Sequence, residues 1–172
     1  AAADLGTSKI ALSVAKVDGE DVQIIYYREV PSDGIRYSCV FAPKRAATAL
    51  EKAVKDAEEE LGIKILQLVT GLPRYSIRQE SASARMSRSD PYSCITREEI
   101  NNLKGLAIDS YPLEDELKEE IYGAVAQSFS ADDDLMCASE EDVIGVTAEN
   151  LEGNFKIFIG SKKASSDLDT ML

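Results

Sequence analysis

Ala1-Ala2-Ala3-Asp4-Leu5-Gly6-Thr7-Ser8-Lys9-Ile10-Ala11-Leu12-Ser13-Val14 opens the chain, and the reading of this stretch decides the fold. Ile10, Leu12 and Val14, with apolar residues between them, predict a strand from Lys9 to Val17, of the kind covered on both faces. The residues before Gly6 predict a short first strand. Three alanines are a weak strand opening, so a start upstream of Ala1 is expected, as is also suggested by the lack of an initial Met. Between the two strands, Asp4-Leu5-Gly6-Thr7-Ser8-Lys9 has to turn. Gly6 lets the backbone approach an anion closely. The N–H groups of Gly6, Thr7 and Ser8 could form an anion nest, with two hydroxyls and the Lys9 ammonium beside it. Asp4, at the end of the first strand, could hold a Mg²⁺ through water. These six residues alone read more simply as a tight turn with no ligand.

Moving outward, Asp18-Gly19 is a hairpin signal, and Val22 to Tyr27 predicts a third strand antiparallel to the second. Pro31-Ser32-Asp33-Gly34 predicts a turn. Pro43 to Leu61 predicts a helix, with Ala47, Leu50, Val54, Ala57 and Leu61 as its apolar stripe, Pro43 in its first turn and Gly62 at its C-terminal cap. Ile63 to Val69 predicts a strand stopped by Gly71 and Pro73. An order β-β-β-α-β implies a mixed sheet rather than an all-parallel start.

From Tyr75 the character changes. Tyr75 to Met86 alternates like a half-exposed strand. Thr96-Arg97-Glu98-Glu99 is a capping box, opening a helix with Ile100, Leu103 and Ala107 on one face. Ile121 to Ala131 and Asn154 to Ile159 predict two more strands. The second half is therefore a small strand-helix-strand-strand module.

Composition bounds the rest. The 172 residues are 44% apolar with a formal net charge of −12. A chain of this length buries roughly two-thirds of its surface. The acidic balance excludes a phosphate-backbone partner, so no nucleic acid is expected, and argues against the chain itself lying on an anionic membrane. Three cysteines without a C-x-x-C pair point to a reducing cytosol rather than a disulfide framework or a zinc site. With no histidine, the commonest general base and imidazole metal ligands are excluded. Asp132-Asp133-Asp134 followed by Glu140-Glu141-Asp142 lacks the residues of an EF-hand and reads as a solvated acidic loop. Glu58-Glu59-Glu60 and Glu114 to Glu120 read as exposed helix faces. Arg74, Arg78, Arg85, Arg88 and Arg97 form a local basic segment. It reads as half-exposed strand chemistry or as a docking surface for an acidic segment, with Arg85 and Arg88 as the test positions.

Several stretches together carry a family resemblance. The D-x-G-T-x-K hairpin of Asp4 to Lys9, opening a β-β-β-α-β run, resembles the first phosphate motif of the actin, Hsp70 and sugar-kinase superfamily. Val30-Pro31-Ser32-Asp33-Gly34-Ile35-Arg36, Leu68-Val69-Thr70-Gly71, Ile95-Thr96-Arg97-Glu98-Glu99-Ile100, and Asp142 to Gly145 through Leu151-Glu152-Gly153-Asn154-Phe155-Lys156-Ile157 resemble the FtsA family of bacterial cell-division proteins. This likeness covers nearly the whole chain. It implies an α/β (α+β) fold: an actin/RNase H-like subdomain 1A portion over 1–73, an inserted strand-helix-strand-strand (SHS2) subdomain 1C over 74–160, and at 161–172 the start of a helix returning to 1A.

The resemblance implies ATP and Mg²⁺ as cofactors of the full protein, held in part by Asp4, Gly6, Thr7, Ser8 and Lys9. It implies an adaptor that polymerises, anchors FtsZ filaments at the inner face of the cell membrane at the division site, and recruits later division proteins through subdomain 1C. ATP would set conformation and assembly, with at most weak hydrolysis. The family's second D-x-G motif, adenosine motif, FtsZ-binding second lobe and membrane-binding C-terminal helix have no counterpart in these residues, so a piece of a longer protein is expected, one that binds ATP weakly by itself. The alternatives are a pilus-assembly actin homologue of the PilM type, a sugar-kinase or Hsp70-type ATPase fragment, and an interaction module with no nucleotide.

Overall fold

The computed structural model describes residues 1–72, 76–133 and 135–172. The expected stop at Pro73, the expected unit boundary at 73–75, Arg74 and Asp134 lie outside the described residues. The described chain divides into two compact units: Ala1–Ser76 with Lys162–Leu172, and Ile77–Ser161. It is mixed α/β, with two four-stranded sheets and a two-stranded one.

In the first unit, β1 (Ala2–Leu5), β2 (Lys9–Asp18) and β3 (Asp21–Pro31) form an antiparallel meander, and β6 (Val69–Thr70) joins β1 in parallel to complete the order β3-β2-β1-β6. Period-two alternation sorts the faces. Ala3, Leu5, Ile10, Leu12, Val14 and Tyr26 are buried on the face toward α1 (Pro43–Leu61). The other face is less covered than the sequence predicts for β2, whose last three residues are exposed. Helix α1 keeps its expected bounds, with Pro43 in its first turn and Gly62 left-handed at its end.

Its buried stripe, however, is Ala46, Leu50, Ala53 and Ala57. Ala47, Val54 and Leu61 sit only at the border of the core. The sheet takes the narrower alanine side because small residues let the helix approach, and the larger residues fill its margins. Leu168 and Met171 of α4 (Lys162–Met171) close the same core.

Two features of this unit differ from the sequence reading. Residues 63–68 form no strand; only Val69–Thr70 pairs. A hairpin, β4 (Ile35–Arg36) with β5 (Cys39–Val40), precedes α1. Its two-residue turn holds Tyr37 and Ser38 at φ 52° and 60°, the sign that mirror-image hairpin turns require, without a glycine to signal it. Gly34 before it has φ 80°, and a Cβ there would lie 2.5 Å from the Ala42 carbonyl oxygen.

The second unit is an antiparallel sheet of order β7-β10-β8-β9, from β7 (Arg78–Ser87), β8 (Glu119–Ala131), β9 (Leu135–Cys137) and β10 (Asn150–Ser161). Helix α2 (Arg97–Asp109) packs across it through Ile100, Leu103 and Ala107. The predicted capping box is formed: the Glu99 amide donates to Thr96 Oγ1 at 3.3 Å, and the Thr96 amide to Glu99 Oε2 at 2.9 Å. Phe129 and Phe155 meet edge to face, with ring centroids 6.0 Å apart. A short helix α3 (Glu140–Val143), capped by Ser139, adds Val143 to the core.

The acidic stretch at 114–120 is not a helix face. It is a turn leading into β8, whose first residues are Glu119 and Glu120. Asp132 and Asp133, after β8, sit in a structured turn: Asp132 (φ 53°) accepts from the Asn150 and Glu149 amides. Those bonds hold its carboxyl below the usual range.

Candidate functional site

The hairpin between β1 and β2 brings together the five residues singled out by sequence. The last pair of the ladder is Leu5↔Ile10, and the Gly6 amide donates to the Lys9 carbonyl at 3.0 Å. Thr7 and Ser8 form the exposed tip. The Gly6 amide is thus engaged within the turn and is not offered outward as the sequence suggests. A Cβ on Gly6 would lie 2.7 Å from that same Lys9 carbonyl oxygen. Glycine is required here to close the hairpin, so a valine at this position would break the turn before it tested any ligand.

The remaining chemistry of the tip is donor-rich. Ser8's carbonyl accepts from Ser32's amide at 3.1 Å and Lys9's carbonyl from Gly6's, while the Gly6 and Thr7 carbonyls accept from no protein donor among the described residues. Among the described residues, the Thr7 and Ser8 amides donate to no protein acceptor. Thr7 Oγ1 accepts from the Tyr37 amide at 3.0 Å, which leaves its O–H to donate. That bond straps the β4–β5 turn to the tip. Two amides, two hydroxyls and an ammonium on one exposed turn suit an oxyanion such as a phosphate. Asp4, on β1, lies on the face away from α1 and could hold a Mg²⁺ through water.

Lys9 is not a free cation. Its Nζ donates to Glu29 Oε1 at 2.5 Å, and the Tyr27 hydroxyl donates to the same oxygen at 2.6 Å. The Glu29 bond raises the Lys9 pKa, and Lys9, then Tyr27, holds the Glu29 carboxyl low. Sequence reasoning missed both partners, which lie on β3. Counting back from the Asp18-Gly19 turn would set Ala11 opposite Arg28; a bulge between Val14 and Ala15 shifts the ladder by one residue, so that Ala11 faces Glu29 and Ser13 faces Tyr27, and no sequence signal marked it.

The arginines read as a docking surface behave otherwise. Arg88 is buried, at 6% exposure, which corrects its reading as a docking residue. Its Nε donates to Glu99 Oε1 at 2.7 Å, Nη1 to the Ser93 and Ala148 carbonyls at 3.0 and 2.9 Å, and Nη2 to Ser93 Oγ at 3.1 Å and Glu99 Oε2 at 3.3 Å. Arg85 lies on the surface, but both of its terminal nitrogens bind Asp133, at 3.2 and 3.1 Å. Arg78 binds Glu119, and Arg97 approaches Glu140 at 3.4 Å. The segment looked basic because its carboxylate partners come from distant elements. Among the described residues no cluster of three or more acidic, cysteine or histidine side chains forms a metal site, and no helix is long and apolar enough to cross a membrane.

No protein-family model matches the chain. Its sequence relatives are bacterial cell-division proteins. They share one name, FtsA, and the likeness runs over most of the chain. FtsA of Enterococcus faecalis (strain ATCC 700802 / V583) is 28% identical over 147 residues, 85% of this chain and 32% of that protein. FtsA of Enterococcus hirae is 26% identical over the same coverage, and FtsA of Neisseria meningitidis serogroup B (strain ATCC BAA-335 / MC58) 26% identical over 164 residues, 94% of this chain and 37% of that protein. This chain therefore spans about a third of the length of the curated relatives it matches. Among solved structures, a chain of the PilM-PilN type IV pilus biogenesis complex resembles it with a TM-score of 0.48 and 14% identity, over 98% of this chain and 42% of that one.

Proposed function

We propose that this chain does the work of the corresponding third of FtsA: an actin-like, ATP-binding adaptor of the bacterial division apparatus. The observation that carries the reading is the sequence likeness to FtsA, 28% over 85% of the chain. In this reading the first unit is the subdomain 1A portion, and its exposed Thr7–Ser8 tip, with Lys9 and Asp4, is the first of the loops that hold the phosphates and Mg²⁺ of ATP. When bound, the metal would neutralise phosphate charge. Thr7 and Ser8 supply donors, and Lys9 supplies positive charge. The second unit, with its strand-helix-strand order, is the SHS2-type subdomain 1C through which self-association and later division proteins would act. FtsZ and membrane contacts, at the inner face of the cell membrane, belong to other parts of such a protein.

A chimera tests this. The aligned residues of the Enterococcus faecalis protein are exchanged for this chain, and the chimera is made the only copy in cells depleted of the native protein. The expected result is continued division. Undivided cells holding a stable chimera that still bands at the division site overturn the reading.

A further inference from the structure

The inference rests on reading residues 4–9 as a phosphate hairpin and concerns a residue outside it. Ala11 on β2 is the register partner of Asp4 on β1 and of Glu29 on β3. Two strand spacings put these two carboxylate-bearing residues roughly 10 Å apart on one face of the sheet. Lys9, two residues before Ala11, shares that face and binds Glu29. Tyr27, two residues before Glu29, donates to the same carboxylate oxygen and keeps it from following an incoming ligand. The corner beside the donor-rich tip thus holds two negative charges and one positive. A bare polyphosphate finds donors at Thr7 and Ser8, but Lys9 already neutralised and a net negative surround.

We propose that Glu29, positioned by Tyr27, is a specificity-determining residue of this hairpin: by holding Lys9 it excludes metal-free phosphate anions and admits a polyphosphate only as its divalent-cation complex. Asp4 would carry the water-held cation. Glu29 touches no ligand itself and acts through Lys9 and through its own charge.

The test uses the 172-residue chain, isotope-labelled, with tripolyphosphate as the probe, titrated with magnesium and with EDTA while the Thr7 and Ser8 amide resonances are followed. In the wild type, the magnesium complex shifts both amides, and the metal-free anion binds at least tenfold more weakly. Glu29→Gln removes one negative charge and frees Lys9, so metal-free binding strengthens by about fivefold and the magnesium preference shrinks. Tyr27→Phe moves the preference the same way by less, and serves if Glu29→Gln disturbs the sheet. Lys9→Met weakens both titrations. A magnesium preference unchanged in Glu29→Gln and Tyr27→Phe overturns the inference and leaves the hairpin reading standing. An absence of shifts at Thr7 and Ser8 in all titrations overturns the hairpin reading, and the inference with it.

Discussion

Each unit contains one Glu-bound cation of note, and the two pairs differ in nearly everything except chemistry. Arg88 and Glu99 meet in the interior of the second unit, where the arginine side chain is 1% exposed and all of its nitrogens have acceptors. Lys9 and Glu29 meet on an exposed sheet face of the first, where the lysine side chain is 54% exposed. Water competes freely for the second pair and reaches the first only on its Glu99 side, which is 24% exposed. A buried guanidinium without its partners is costly, so the Arg88 node locks the end of β7, the loop before α2 and the helix cap into one arrangement. The solvated ammonium of Lys9 keeps two donors for other uses. Burial decides which pair is architecture and which can serve a ligand.

Reversing the buried charge breaks the comparison hardest. Arg88→Glu would face Glu99 in the interior, and the second unit is expected not to fold. Arg88→Met, which keeps the stem, leaves the Ser93 and Ala148 carbonyls without their donor and is expected to destabilise it by about 1–3 kcal/mol. Amide hydrogen exchange at Leu151 and Phe155 reads that unit alone. Full exchange protection in Arg88→Glu would show that the node is dispensable.

A backbone change in the first unit comes next. Gly34→Ala puts a Cβ 2.5 Å from the Ala42 oxygen at φ 80°. A loss of about 2–3 kcal/mol is expected, seen as faster exchange at Leu12 and Leu50. Unchanged exchange would mean that the turn before α1 relaxes freely.

The capping box sharpens the comparison, because Glu99 serves it as well as Arg88. Thr96→Ala is expected to cost about 1 kcal/mol, measured by urea denaturation. Glu99's carboxyl lies below its ordinary value of 4.5, chiefly through the Arg88 hydrogen bond. A depressed carboxylate stabilises the fold fully above its unfolded pKa, and that contribution is lost as pH falls through the folded one. Stability of the second unit is therefore expected to decline below about pH 4.5. In Arg88→Met this part of the decline should shrink. An identical pH profile would remove Glu99 from the acid response.

The smallest effect belongs to the exposed pair. Lys9→Met is expected to leave the thermal midpoint of the chain unchanged in scanning calorimetry, while a clear drop would make Lys9 architectural as well.

Much of the frame was legible in the residues themselves. Helix α1 was bounded by Pro43 and Gly62 and α2 by its capping box, because caps are local physics, and the alternation of Phe155, Ile157 and Ile159 marked the middle of β10 but not its ends at Asn150 and Ser161. The D-L-G-T-S-K turn was legible for the same reason, since a glycine between two apolar strands has few other uses. Partnership across the chain was not legible. Glu29 reaches Lys9, Asp133 reaches Arg85 and Glu99 reaches Arg88 over separations of 20, 48 and 11 residues, and no local pattern encodes a pair formed by sheet register or by a helix folding back. The shift of the α1 stripe to Ala46 and Ala53 has the same origin: periodicity names a face to within a residue, and only the sheet packed against it chooses. The sequence alone determined where the chain turns, caps and alternates. Which charges are buried, and therefore which arginine is structural and which lysine remains at the surface, was decided by tertiary contact, because desolvation is a property of what surrounds a residue and not of the residue itself.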